Sequence, residues 1–371
     1  MVLPLALLLA MKVTPPSPDV KYQQPQLAST GDRIGMVFGA GNDIYYAASS
    51  DDGATFSGPV RIPAGGKLAL GRHRGPRVAF QAGNIVITAV AGARGGGADG
   101  DLLAWRSTDD GQTWQGPVRV NDVEGSAREG LHAMANGNGA IVAVWLDLRA
   151  KGTRLYGSQS IDGGLTWSKD FLVYESPDGT ICQCCHPTVK IGLAGDVHVM
   201  WRNALDGSRD LFYSRSPAGQ PAFSLASRLG RGTWKIDACP MDGGGLAVSA
   251  TGKIYTVWRR ENSIFVALPG SPESELGRGK DPAIAAGLND DVFAVWTASD
   301  GIRSRSSRED RETLLSPSGA YPQVIYTGKR ILAVWEQDGG IATGTVFALD
   351  LPPVTNHKLQ GPRSLRPKPQ K

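Results

Sequence analysis

Seven short apolar runs recur along the chain: Ile34–Phe38, Ile85–Val90, Ile141–Trp145, Val197–Trp201, Ile254–Trp258, Val292–Trp296 and Ile331–Trp335. Five of the seven end in tryptophan. Each is rich in β-branched residues and too short for a helix, so each predicts a strand buried between layers. Gly/Asn/Asp turns such as Gly31-Asp32, Gly83-Asn84, Gly195-Asp196 and Asn289-Asp290 precede them, which is hairpin chemistry. Ahead of each turn lies a further short strand. Six of these strands open near a proline (Pro25, Pro76, Pro187, Pro240, Pro282, Pro322), and His132 stands at the equivalent place in the third repeat. Proline at the first residue of a strand costs no ladder hydrogen bond. Helical periodicity is almost absent. The pattern predicts an all-β propeller of four-stranded blades, one blade per run.

A second pattern repeats three times as Ser-x-Asp-x-Gly-x-Thr-aromatic. It runs from Ser49 through Asp51, Gly53 and Thr55 to Phe56, from Ser107 through Asp109, Gly111 and Thr113 to Trp114, and from Ser160 through Asp162, Gly164 and Thr166 to Trp167. Repetition at blade length marks an array of equal modules. The carboxylate and hydroxyls of such a stretch bond the amides of their own turn, the glycine takes the φ > 0 position and the aromatic plugs the gap behind.

Length and charge add little to this frame. A chain of 371 residues with 48 glycines fits one closed ring over residues 20–350. Residues 1–15 begin with an apolar run, Val2–Ala10, that reads either as part of an export signal or as a disordered end; it is too short to cross a bilayer as a helix. Residues 351–371 read as a Pro-rich disordered tail carrying Lys358, Arg363, Arg366, Lys368 and Lys371. Without those five, the basic residues no longer outnumber the 35 acidic ones. Nothing in the body pairs aromatic with basic residues on one face, so no nucleic-acid partner is expected.

The Asp-containing turns resemble the Asp boxes (BNR repeats) of the sialidase, or neuraminidase, superfamily of β-propellers. So does the order Arg74-Gly-Pro76, then a strand, then Arg94 and Asp99 on a Gly-rich loop ahead of the second turn. The late Tyr321-Pro-Gln-Val324 and Trp335-Glu336 resemble that family's closing motifs. That family has six blades, so six is the alternative to the seven counted here. The resemblance implies an exported exo-glycoside hydrolase acting on a terminal sialic acid or related acidic sugar, with a glycan or glycoconjugate as partner and no cofactor required. It implies Asp99 as general acid/base with Asp101 beside it, Tyr321 as nucleophile and Glu336 as buttress of the first clamp arginine, Arg74. Arg94 would lie near the substrate's amide, and Arg259 or Arg260, with Arg202 one repeat earlier, would supply the second clamp arginine. A neutral phenol is a better attacker on an anionic sugar than a carboxylate, and an arginine fork holds a carboxylate bidentately.

Two departures stand against that reading. The family activates its tyrosine with a glutamate where this chain has Asp237-Ala-Cys239-Pro-Met-Asp242, leaving only Asp237 and Asp242 as carboxylates. For the third clamp arginine, Arg278, Arg303 and Arg305 are the candidates. In the same region lie Cys182, Cys184, Cys185 and His186, with Cys239 the one other cysteine. Both segments lead into inner strands of adjacent repeats, so they are expected to be neighbours. The set could bind zinc or copper. Two disulfides, the reading placed ahead of a metal, account for an even count in an exported protein, and free thiols are a third state. A non-catalytic propeller that binds a glycan, protein or metal at its mouth is therefore the alternative to the hydrolase.

Overall fold

The computed structural model describes residues 11–348 apart from Pro221 and Asp310. Strand follows strand, and the described residues include one short 3-10 turn, Leu288–Asp290. The strands form seven antiparallel sheets. Blade one is built in chain order from Gln23–Thr30, Arg33–Ala40, Asp43–Ser49 and Val60–Pro63. Blades three to six repeat that order, starting at His132, Thr188, Gly245 and Lys280. Each apolar run of the sequence is the second strand of its blade. The fold is a seven-bladed propeller. Six blades would leave one of these sheets unaccounted for.

Two blades depart from the simple order. In blade two the innermost strand is split into Lys67–Leu68 and Arg77–Gln81, both paired with Asn84–Gly92. The loop between them carries Arg72, His73 and Arg74 out of the sheet. Blade seven takes its outermost strand from the opposite end of the chain: Met11 lies opposite Thr343 and Val13 opposite Ile341. The sequence places these residues in a leader or a disordered end. They are instead a strand, because the outer edge of Gly340–Ala348 otherwise presents unpaired ladder groups. The rest of the expected leader, residues 1–10, and the basic tail 351–371 lie outside the described residues.

Tryptophans fill the spaces between blades. Trp145, Trp201, Trp296 and Trp335 are all fully buried, each removing roughly 150–250 Å² from water. The inner strands ring a central channel, and one cavity along it is lined by a residue from each of the seven: Gln26, Arg77, Met134, Lys190, Leu246, Ile284 and Val324.

The three Ser-x-Asp-x-Gly-x-Thr turns join the third and fourth strands of blades one to three with the same bonds. Thr55, Thr113 and Thr166 donate their amides to Asp51, Asp109 and Asp162 at 2.9, 2.9 and 3.0 Å. Ser49, Ser107 and Ser160 accept the glycine amides at 2.9 Å. The threonine hydroxyls hold the carboxyls of Asp51 and Asp109 down at about 2. Each turn also docks its glycine on the preceding blade. A Cβ on Gly53, Gly111 or Gly164 would stand 2.5, 2.4 or 2.9 Å from Leu332, Tyr46 or Val86 respectively. With φ of +82°, +87° and +80° as well, no other residue fits. Gly111→Ala is therefore expected to destabilise the protein by about 2 kcal/mol or more, read as a lowered urea midpoint with unchanged slope.

Candidate functional site

At one mouth of the channel, three inner strands begin with the same irregularity. Gln24, Asp281 and Tyr321 each precede a proline, and each takes a left-handed backbone, with φ of 57°, 55° and 53°. In each the register slips, between Gln23 and Gln26, Lys280 and Ala283, and Ala320 and Gln323. A bulge next to a proline that cannot donate to the ladder re-aims the side chain before it. Arg72 and His73 are left-handed too, with φ of 52° and 67°. Non-glycine residues held in that region cost about 1–3 kcal/mol each and cluster where function needs a fixed geometry.

These residues meet. His73 Nε2 lies 2.9 Å from Asp281 Oδ1, and both side chains are buried. The His73 ring stacks on His186 at 4.2 Å and stands edge-on to Tyr321 at 5.1 Å. Gly243 donates its amide to His186 Nδ1, and His186 Nε2 donates to the Gly244 carbonyl, so His186 is neutral. Burial, with His73 alongside, holds its pKa well below the ordinary histidine value. Asp242 accepts the Asp281 amide at 2.8 Å and the Gly244 amide at 3.2 Å, and so braces the residue that bonds His73. The second carboxylate oxygen of Asp281 is buried and has no partner among the described residues. Glu336 Oε1 accepts from both the amide and the side chain of Gln24, at 2.7 and 2.9 Å. Burial raises the Glu336 carboxyl. Burial also raises the Tyr321 phenol, helped by Asp281 and Glu336 and opposed by Arg72. Arg72 is exposed and makes no hydrogen bond or ion pair among the described residues.

The structure distributes the sequence-predicted residues unevenly. Tyr321 and Glu336 are at this mouth, but Glu336 bonds Gln24 and not Arg74. Arg74 donates to the Glu129 carbonyl at 2.6 Å. Arg94 is exposed and donates to the carbonyl of Ala98 in its own loop. Asp99 accepts the amides of Arg94 and Gly95, which lower its pKa, the opposite of what a general acid requires. Asp101 is taken up by Asn121 and Gly125. Arg202 is 1% exposed and donates to the carbonyls of Asp242, Arg209 and Arg259. Arg259 donates to Glu261 and Pro240 carbonyls, and Arg260 pairs with Glu273 at 2.7 Å. Among the third-clamp candidates, Arg303 pairs with Asp300 and Glu312, and Arg305 bonds the Leu276 carbonyl. Three converging arginines are not assembled from this set. Asp237 is exposed, while Asp242 serves as the brace described above.

His73, Asp281, Gln24 and Arg72 escape sequence reasoning. The prolines after Gln24 and Asp281 were the available signal, but they mark where a strand opens and not which way the preceding side chain turns. His73 depends on the split in blade two, which no local pattern announces.

Of the five residues expected in a Cys/His group, three sulfurs come together. Cys182, Cys184 and Cys185 are buried with Sγ atoms 3.2–3.9 Å apart. Cys239 is exposed and unbridged beside Cys184. His186 turns away to the glycine backbone and His73.

No family model matches the chain, and no curated protein resembles it in sequence. Solved structures with the same fold include virginiamycin B lyase from Staphylococcus aureus, at 13% identity and a TM-score of 0.56, covering 91% of this chain and 99% of that one. The GH93 α-L-arabinofuranosidase of Fusarium graminearum superposes at 13% identity and 0.54, over 91% and 97%. A PL25 ulvan lyase does so at 13% and 0.58, over 88% and 94%. At such identities the likeness establishes the fold.

Arg202 is expected to behave as a structural bolt. Arg202→Met strands three carbonyls, one buried and two part-buried, and is expected to cost about 3 kcal/mol or more in urea unfolding. A substrate-clamp arginine would be removed with little loss of stability.

Proposed function

We propose that the protein is a glycoside hydrolase that removes an acidic sugar at the channel mouth by a reaction centred on Tyr321. The observation that carries this reading is the placement of Tyr321: a left-handed strand start sets it against His73, with the carboxylates of Asp281 and Glu336 and the unpaired cation of Arg72 acting on it. The phenol attacks the anomeric carbon without the repulsion an anionic nucleophile meets from an anionic sugar. Its proton passes to the unpartnered oxygen of Asp281, whose other oxygen is held by His73. Asp281 thus takes the place of the activating glutamate that the sequence lacks. Glu336, whose carboxyl burial raises, gives its proton to the leaving oxygen. In the second half, Glu336 takes a proton from water, the water attacks the same carbon, the carbon–tyrosine bond breaks and the Asp281 proton returns to the phenol. Arg72 pairs with the sugar carboxylate.

A glycan substrate is in keeping with a fold shared with an arabinofuranosidase and an ulvan lyase. Sialic acid is the narrower form of the proposal, supported by the order of the sequence motifs. The engagement of Arg74, Arg94, Arg202, Arg259 and Arg260 elsewhere weighs toward a sugar that needs one arginine and not three.

The test is release of the aryl group from aryl glycosides of sialic acid and of hexuronic acids by purified protein. Tyr321→Phe and Glu336→Gln are each expected to lower turnover by roughly 100-fold or more, while Arg72→Ala acts mainly on KM. An unsaturated sugar product would replace hydrolysis by elimination. Silence on every substrate would leave a non-catalytic binding propeller. The pH profile gives a separate check. Only the protonated form of Glu336 serves as the acid, so kcat/KM is expected to fall as pH rises through its elevated pKa. Residual Glu336→Gln activity should lack that alkaline limb.

A further inference from the structure

The loops leading into the inner strands of blades four and five carry four sulfurs that the proposed chemistry does not use. Cys182, Cys184 and Cys185 are 3%, 8% and 1% exposed, so their side chains are shut off from solvent. Their Sγ–Sγ separations are 3.2 Å for 182–185, 3.6 Å for 182–184 and 3.9 Å for 184–185. With metal–sulfur bonds of about 2.3 Å, two sulfurs on one tetrahedral ion lie about 3.8 Å apart. Two of the three separations match that spacing and the third is shorter, and the three sulfurs all lie within 4.8 Å of one another, compact enough to share one ion. Cys239, from the next blade's loop, is near enough to Cys184 to act on its thiol, although it stands outside the compact group of the buried three. Met241 packs over the cluster with another polarizable sulfur-bearing side chain, and the Arg202 guanidinium sits near Cys185.

We infer that Cys182, Cys184, Cys185 and Cys239 form a binding site for a single thiophilic d10 cation, Zn(II) or Cu(I), that staples blade four to blade five. The donor set is soft, which selects these ions over magnesium, calcium or manganese. Arg202 offsets part of the negative charge of the thiolates. Binding releases the thiol protons to solvent and changes no oxidation state. The loops so joined are those that carry His186 and Asp242, so the ion fixes one side of the mouth without touching it.

The test uses the full chain, purified reduced and metal-free, with Zn(II) and Cu(I) added in separate arms. One equivalent of either ion is expected to bind, to protect the cysteines from a thiol reagent and to raise Tm; Cd(II) in place of zinc should give a thiolate charge-transfer band. Losing even an outer partner of a metal ligand costs roughly 10–100-fold in affinity, so Cys239→Ser should weaken binding by at least about tenfold. Because Cys239 is exposed, this variant keeps the buried trio and its packing. Cys184→Ser should abolish binding. Four reactive thiols with no ion bound in either arm would overturn the site. So would two reactive thiols and a peptide map showing Cys182 bridged to Cys185. Neither outcome bears on aryl glycoside release, so the metal and the reaction stand or fall separately.

Discussion

The mouth of the channel hangs on one buried cation. Arg202 leaves its strand at the head of blade four and spends its guanidinium on the carbonyls of Asp242, Arg209 and Arg259. Its own carbonyl accepts the amide of Cys182. Three loops and the thiol cluster are thereby tied to one planar group, which has enough rigid donors to satisfy them all. A burial this complete is tolerable because the acceptors are oriented carbonyl dipoles filling its donor positions. Through Asp242 the tie extends to the Asp281 amide, and through Asp281 to His73. The residues that face the channel are placed by a chain of bonds that begins out of reach of any ligand.

The same region holds a cluster of strained backbone. Gln24, Asp281 and Tyr321 are left-handed residues before prolines, at three of the seven equivalent strand starts. A ring of rigid sheets can carry that cost because each strand start is fixed by its own ladder and by neighbouring blades. Local rules of sequence preference are broken here and largely kept elsewhere, as in the repeated turns of blades one to three.

That contrast explains what could be read in the chain. The apolar runs, their tryptophans and the turns ahead of them are local signals, and each became the strand or hairpin it indicates. The position of Tyr321 and Glu336 at the channel mouth could be read because they sit at fixed offsets from those strands. Arg74 was not distinguishable from Arg72 by offset alone; only the fold separates a residue bound to the Glu129 carbonyl from one left facing Tyr321. Arg202 and Arg259 each sit one residue after the tryptophan of their blade's second strand and Arg260 two residues after, yet burial and the acceptors around them decide their role. The strand Met11–Val13 was illegible for another reason: three residues show no periodicity, and their partner lies at the far end of the chain.

Blade seven is closed by the chain's first strand, and Glu336 of that blade bonds Gln24 of blade one. Tyr321 therefore stands at the seam of the ring, between the last blade to be synthesised and the first. Its surroundings draw on His73 of blade two, Asp281 of blade six and Glu336 of blade seven, which become neighbours only when the circle is complete. The full cluster around Tyr321 is thus a property of the closed ring, completed where blade seven meets blade one.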